Sequence, residues 1–414
     1  MKRSEPDTRM CVEGLTPGLF FHISSGFEPA AEIEISKKLG EYGAKHVKTQ
    51  RGKLHFSLAV NHTVTPHVLQ SVLGCEGAFV AVANVAGVSA DEKCLEDFEK
   101  LPLVIGKEQW QAALKLWRFL HSQEEKDPKK LFPSTFRVTV KRGGKHNWKS
   151  IDAAGIVGSG MLSDDFKKMT GLDLTVNLKN FDLEVYVHVQ HDAATVQLGI
   201  NTMKNSNDRV SVVDMSLRGA TDEGGKVIRL RSSVAANMLT LAEVKPGDIL
   251  LDPFGGTGSI PFLASDRLQP GLALSSDLFP HPIKVARSAK RAAGAHLHHT
   301  EKSSASYELM QADAGALPVR TGSVDVIVSD IPFGKRSQDG ATIKALLPKF
   351  VAEAERVLRP GAGRMVILCS ARSPFQKLLF QSSNLHMEKA VTVSMGGIDD
   401  VRLFLVKRKK EATK

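Results

Sequence analysis

The sequence predicts an α/β chain whose C-terminal part is a doubly wound parallel sheet closed by one antiparallel hairpin, preceded by two small α+β modules. Three observations predict it. Apolar strand-like runs alternate with helical stretches over residues 245–410. Those runs end in turns built from glycine, proline and aspartate. The last two runs, 390–395 and 401–407, are separated by only the five residues 396–400. That is too short for a crossover helix, so this pair is antiparallel.

In the first module, residues 1–125, segments 32–39 and 64–73 read as amphipathic helices. Residues 54–60 alternate apolar and polar as a half-buried strand does, and the uncharged run 78–85 reads as a buried strand. Residues 126–130 are polar, carry Pro128 and read as a linker. The second module, residues 130–205, opens on the alternating strand 135–142, which runs into Gly143-Gly144. A helix is expected over 151–161 despite three glycines, and 181–190 with 195–200 reads as a hairpin around His191-Asp192. Residues 206–244 form a linker and a helix. From 245 onward, strands are expected at 248–251, 271–276, 324–328 and 364–368, with a long amphipathic helix at 344–358.

Length and composition bound the function. A chain of 414 residues suits two or three domains. An apolar fraction of 42% with 24% charged residues excludes a fibrous or largely disordered chain. No apolar run approaches the roughly 20 residues of a membrane span. The start, with charge and Pro6 ahead of any apolar run, is not that of a secretory signal. Four scattered cysteines without a Cys-x-x-Cys pair argue against a zinc or redox motif and suit a reducing compartment. A cytoplasmic location is expected, with a nuclear one as the alternative. The net charge of +10 favours an anionic partner. Its distribution says more, because residues 126–150 hold eight positive and one negative side chain. Such a block attracts a phosphate backbone.

The chemistry lies at the strand ends. Asp252-Pro-Phe-Gly-Gly-Thr-Gly258 is a glycine-rich strand-to-helix loop. It ends without the lysine of a triphosphate-binding P-loop, and Pro261 stands where a dinucleotide loop has its third glycine. Asp252 would repel a phosphate and attract a cation. S-adenosylmethionine, which has no phosphate and carries a sulfonium and an ammonium, fits that charge. Asp252, Phe254, Gly256 and Gly258 are therefore the candidates for holding it. Asp277, at the end of the next strand, has the type and place to accept from both ribose hydroxyls, or to cap the following helix. Asp313 has the same two readings, as a hydrogen-bond partner of an adenine amine or as a turn residue.

Ser329-Asp-Ile-Pro-Phe-Gly334 is the sharpest motif. An exocyclic amine on a base is a poor nucleophile because its lone pair is delocalised into the ring. Asp330 supplies an acceptor for the amine hydrogens, Pro332 fixes the neighbouring backbone, and Phe333 stacks on the base. No cysteine lies in either loop, so carbon methylation through a cysteine nucleophile is not indicated. His296, His298 and His299 have no adjacent acidic or cysteine partner, and no metal site is expected.

With these residues the chain resembles the THUMP domain-containing RNA (guanosine-N2) methyltransferases. The resemblance rests on Asp252–Pro261 with Ser329–Arg336, on the closing Gly396-Gly397, and on the stretches 136–150, 180–188 and 230–239. Gly26-Phe27-Glu28 and Arg51-Gly52-Lys53 also fit. It implies a ferredoxin-like first module, a THUMP domain over 130–205 and a Rossmann-like methyltransferase domain over 245–410. It implies methyl transfer from S-adenosylmethionine to the N2 amine of a guanosine in the tRNA acceptor region. It further implies RNA contacts by Arg137, Lys141, Arg142, Lys145 and His146, and a small zinc-binding activator subunit. The competing readings are the same chemistry on a small nuclear RNA, an amino methyltransferase for DNA, and an RNA-binding protein with a silent methyltransferase domain.

Overall fold

The structure is a computed structural model that describes residues 10–58, 64–88, 95–122, 131–200, 230–297, 306–331, 340–370, 373–395 and 398–410. The expected linker at 126–130 lies outside the described residues. The chain divides into two compact units. One comprises Met1–His22, Ile35–Val72 and Glu76–Asp208; the other comprises Ile23–Glu34, Leu73–Cys75 and Arg209–Lys414.

The first unit is built on one nine-stranded sheet. Its strands are β1 (Cys11–Glu13), β2 (Gly18–His22), β3 (Lys45–Gln50), β4 (Lys53–Ser57), β5 (Gly77–Ala86), β6 (Thr135–Gly143), β7 (Thr175–Val176), β8 (Leu183–Gln190) and β9 (Ala193–Gly199). Their order is β3-β4-β2-β5-β9-β8-β6-β7, with β1 on β5. The strands expected from the two sequence modules therefore share one sheet. Its seam is the antiparallel β5–β9 pair, registered from Phe79 opposite Gly199 to Ala86 opposite Ala193. Sequence periodicity finds β5 and β9 but not their pairing, across more than a hundred residues, and it does not find β1, β2, β3 or β7. The hairpin β8–β9 and the strand β6 form where alternation predicts them.

Three helices here escaped the sequence reading, α3 (Asp97–Ile105), α4 (Lys107–Ser122) and α6 (Asp164–Thr170); α1 (Glu28–Leu39) and α2 (Pro66–Ser71) precede them. In α4 the buried positions Trp110, Ala113, Leu114, Trp117 and Leu120 follow the 3, 4, 7 spacing of one helical face. Each large apolar side chain buried this way contributes about 1.5–3 kcal/mol. The indole N–H groups are satisfied too. Trp110 donates to the Pro102 carbonyl at 2.8 Å and Trp117 to the Gly199 carbonyl at 2.9 Å. The expected helix at 151–161 is α5 (Ser150–Met161), followed by α6 (Asp164–Thr170). Phe166 of α6 meets Trp110 edge-on at 5.2 Å.

The second unit holds α7 (Ser232–Leu241), β10 (Ile249–Asp252), α8 (Ser259–Arg267), β11 (Leu272–Asp277), α9 (Pro280–Leu297), β12 (Ser306–Gln311), β13 (Val326–Asp330), α10 (Gly340–Val357), β14 (Arg364–Ser370), α11 (Phe375–Gln381), β15 (Leu385–Met395) and β16 (Ile398–Arg408). Its seven-stranded sheet has the order β12-β11-β10-β13-β14-β16-β15. The first five strands are parallel. Strand β16 is antiparallel to both β14 and β15, as the short 396–400 connection requires. The chain runs outward from β10 to β11 and β12, then returns to β13 on the other side. That reversal opens a crevice at the carboxyl ends of β10 and β13.

Residues from the N-terminal part of the sequence complete this unit. The Ser394 N–H of β15 donates to the Ser25 carbonyl at 2.9 Å. Gly26 has φ of +96°, and a Cβ there would lie 2.5 Å from the Thr392 carbonyl oxygen, so only glycine fits this close approach. The Asn237 amide of α7 donates to the Gly74 carbonyl at 2.7 Å.

Trp117→Ala would remove a fully buried indole and its bond to Gly199. Thermal or urea unfolding should show a loss of about 3–5 kcal/mol; a loss below 1 kcal/mol would mean that α4 is not packed on this sheet.

Candidate active site

Four aspartates sit at neighbouring strand ends in the second unit: Asp252 on β10, Asp277 on β11, Asp330 on β13, and Asp313 just beyond β12. Parallel pairing sets this row, because a parallel sheet collects its carboxyl ends at one edge. Asp252 and Asp330 thus stand together on adjacent strands.

Asp252 is 2% exposed. Its Oδ1 accepts from the Ser329 hydroxyl at 2.5 Å and from the Phe254 N–H at 3.2 Å. Burial nevertheless pushes its carboxyl up to about 7; the two hydrogen bonds lower it, and the charges of Asp330 and Asp277 raise it further. Asp330 is likewise raised to about 7 by burial. Its Oδ1 is buried and has no hydrogen-bond partner. Two carboxyls held this far up create a strong preference for a nearby positive charge.

The glycine-rich loop is folded around these groups. Gly255 N–H donates to the Ser276 carbonyl at 2.7 Å, and Gly258 N–H donates back to the Gly255 carbonyl at 2.7 Å. Gly256 and Gly258 have φ of +53° and +79°. A Cβ on Gly258 would lie 2.0 Å from the Tyr307 hydroxyl. Asp277 Oδ2 accepts from the Gly256 N–H at 3.0 Å, and its Oδ1 accepts from the Phe279 N–H at 2.9 Å. Asp277 therefore fixes the loop and caps the turn before α9, leaving further lone pairs on both oxygens. Phe254 packs its ring edge-on against Phe350 at 5.0 Å, so its side chain is part of the core. Asp313 is exposed, and its Oδ1 accepts from the Gly315 N–H at 2.8 Å.

Pro332 and Phe333 lie outside the described residues. Ile331 before them is anchored, its N–H donating to the Leu368 carbonyl of β14 at 2.9 Å. Sequence reasoning missed Ser329, whose hydroxyl orients Asp252 from the neighbouring strand. It also missed Leu278 and Phe279, 47% and 40% exposed directly after Asp277. An exposed apolar pair beside a polar site was readable as a surface for a flat ring.

These residues fit S-adenosylmethionine. The orphaned Asp330 oxygen and the buried Asp252 favour a cation, and the glycine loop leaves the close approach that a side chain would fill. The first N–H groups of α8, directly after the loop, favour a carboxylate such as that of the methionine moiety. Among the described residues no cluster of His, Cys, Asp and Glu has the makings of a metal site.

The basic candidates of the first unit fall into two groups. Lys141, Arg142 and Lys145 are exposed, whereas Arg137 is partly buried and His146 is buried. Arg137 pairs with Glu184 at 2.7 Å and lies over the Phe181 ring at 4.1 Å. Arg142 donates to the carbonyls of His146, at 3.0 Å, and Trp148. His146 is 9% exposed, with Nε2 2.9 Å from the His191 carbonyl. These three build the strand and the turn after it. The alternating charge that marked them as an RNA surface also serves cross-strand pairing.

Comparison with known proteins agrees with this geometry. The family "RMKL-like, methyltransferase domain" matches residues 223–400, and the THUMP domain family matches residues 115–198. The tRNA (guanine(6)-N(2))-methyltransferase THUMP3 of Bos taurus is 28% identical over 98% of this chain and 90% of its own length. The U6 snRNA (guanine-N(2))-methyltransferase THUMPD2 of Bos taurus is 31% identical over 57% of this chain and 41% of its own. The crystal structure of TrmN from Thermus thermophilus superposes with a TM-score of 0.63 at 20% identity, covering 95% of this chain and 99% of that one. SMU.472, a putative methyltransferase complexed with SAH, gives 0.58 at 13% identity, with 97% and 100% coverage.

A cation beside Asp252 lowers its carboxyl. Cofactor binding should therefore release protons between about pH 5 and 7, and affinity should rise with pH and level off above about 7. Calorimetry in buffers of different ionisation enthalpy checks this; a pH-independent affinity would remove Asp252 from the cation site. Without cofactor the sign for folding is opposite. The unfolded carboxyl titrates near 3.9 and the folded one at about 7, so stability from this group falls as pH rises between them.

Proposed function

We propose that the chain is a THUMP-domain methyltransferase that uses S-adenosylmethionine to methylate the exocyclic N2 amine of a guanosine in the acceptor region of tRNA. The observation that carries this reading is Asp330, whose buried Oδ1 has no partner beside the cation-favouring Asp252. Its support for the substrate is the near full-length similarity to proteins named tRNA (guanine(6)-N(2))-methyltransferase. A small zinc-binding activator subunit and a cytoplasmic setting complete the proposal.

S-adenosylmethionine, when bound, supplies an electrophilic methyl group. The protein has to make the amine a nucleophile. Asp330 Oδ1 accepts one amine hydrogen, and the Ile331 carbonyl, on a backbone anchored to β14, accepts the other. These bonds draw the lone pair out of the ring. Pro332 and Phe333 are assigned to hold the backbone and to stack on the flipped base. Forming the carbon–nitrogen bond would break the methyl–sulfonium bond and leave a neutral thioether; the nitrogen then carries one proton too many, and Asp330 takes it. A carboxyl held near neutrality is matched to this task at physiological pH. Ser329 keeps Asp252 oriented, and closure of the site around the base supplies alignment.

Mass spectrometry of nucleosides from tRNA incubated with the protein and labelled cofactor should detect N2-methylguanosine. U6 small nuclear RNA and duplex DNA serve as competing substrates, and preferential labelling of either would replace tRNA in the proposal. Asp330→Ala should abolish transfer even when the cofactor is saturating. In the unaltered enzyme kcat/KM should rise with pH up to about 7, because Asp330 acts ionised; Asp330→Asn should lose that dependence along with roughly 10²–10⁴ of the rate.

A further inference from the structure

One face of the first unit's sheet carries a polar and aromatic cluster that methyl transfer does not use. Cross-strand pairing sets Lys53 of β4 beside His22 of β2, and Gln197 of β9 beside Tyr186 of β8. Their side chains converge. His22 Nε2 is 2.8 Å from Gln197 Oε1. The His22 ring lies 4.5 Å from Phe79 and 5.1 Å from Tyr186, and the latter two rings are 4.9 Å apart. His188 stands 6.4 Å from His22, although two strands separate β2 from β8.

Among the described residues, two buried polar atoms of this cluster have no partner. Gln197 is 0% exposed, yet its Nε2 has no hydrogen-bond partner, and the Nδ1 of His188 is buried without one. Lys53 is 5% exposed, and among the described residues no carboxylate pairs with it. The acidic groups acting on the cluster are Glu76 and Glu184. Glu184 is taken up by Arg137 and by the Thr139 hydroxyl at 2.6 Å. Unpaired buried donors are costly unless something accepts from them. Burial, and after it the Lys53 charge, holds His22 and His188 down to about 3 and about 4. A second cation is therefore unwelcome here, whereas an anion would relieve the ammonium and both rings.

Donors call for oxygen acceptors, and three flat rings call for a planar heterocycle. We propose that this face of the first unit binds a nucleoside phosphate, with Lys53 and Gln197 donating to the phosphate and the rings of His22, Phe79 and Tyr186 holding the base. The same chemistry is offered by a free mononucleotide and by one nucleotide of an RNA strand. None of these residues belongs to the methyltransferase unit, so the proposal stands whether or not tRNA is the methyl acceptor.

The test uses the full chain with isotope-labelled histidine rings and with the cofactor site saturated by S-adenosylhomocysteine. AMP, adenosine and a short single-stranded RNA are titrated while the His22 and His188 resonances are followed. AMP should shift both rings and raise their apparent pKa values. Adenosine should bind at least about tenfold more weakly. Lys53→Met should weaken AMP binding about tenfold or more, and Lys53→Arg should retain most of it. Tighter binding of the RNA than of AMP assigns the site to an RNA strand; equal or weaker binding assigns it to free nucleotides. Resonances unmoved by both ligands at millimolar concentration would overturn the proposal, as would a folded Lys53→Met that binds AMP like the unaltered protein. If Lys53→Met does not fold, the titration of the unaltered protein decides alone.

Discussion

Asp252 occupies a place that water does not reach, so its charge has to be carried by the protein around it. The Ser329 hydroxyl and the Phe254 N–H do part of that work, and they come from the adjacent strand and from the loop itself. The arrangement exists only because β10 and β13 are parallel neighbours on either side of the chain reversal. Shift one strand by a residue and Ser329 faces the other side of the sheet. The second unit is organised around that carboxylate: the loop backbone bends to it, Asp277 pins the loop, and Asp330 completes an acidic wall. The incomplete compensation is itself informative, since a buried acid held near neutrality is a group waiting for a cation.

The first unit solves a different problem. A small α+β module has too little core to bury much surface alone. Here the strands of two such modules join edge to edge through β5 and β9, which removes two exposed sheet edges at once. Helix α4 then packs on β5 and α5 on β6, with Phe166 of α6 set against Trp110 of α4. The pairing of strands remote in sequence also brings together His22 and His188, which neither module holds by itself.

Most of the methyltransferase unit was legible in the sequence. Parallel strands are continuous apolar runs, their ends carry turn residues, and the acidic residues follow directly. The short 396–400 connection left only an antiparallel pairing. Local pattern does not carry what depends on tertiary partners. Phe254 reads as a loop residue for a ligand, but Phe350 gives it an apolar seat, so it packs inward. Arg137 and His146 look like part of a basic surface, yet Glu184 pairs with Arg137 and the His191 carbonyl holds His146. Helix α4 is readable from the helical spacing of Trp110, Ala113, Leu114 and Trp117. The shared nine-stranded sheet was not readable, because edge pairing between distant strands leaves no periodic trace.

The segments Ile23–Glu34 and Leu73–Cys75 pack with the methyltransferase unit although they lie near the start of the chain. Ser25 and Gly26 close on β15, and Gly74 on α7, through hydrogen bonds that a later start point would erase. The catalytic half is thus not a cassette that recombination could detach and splice elsewhere. Gene fusion or exon loss at the 206–244 boundary would yield an enzyme missing two of its own threads, which ties the inheritance of both halves together.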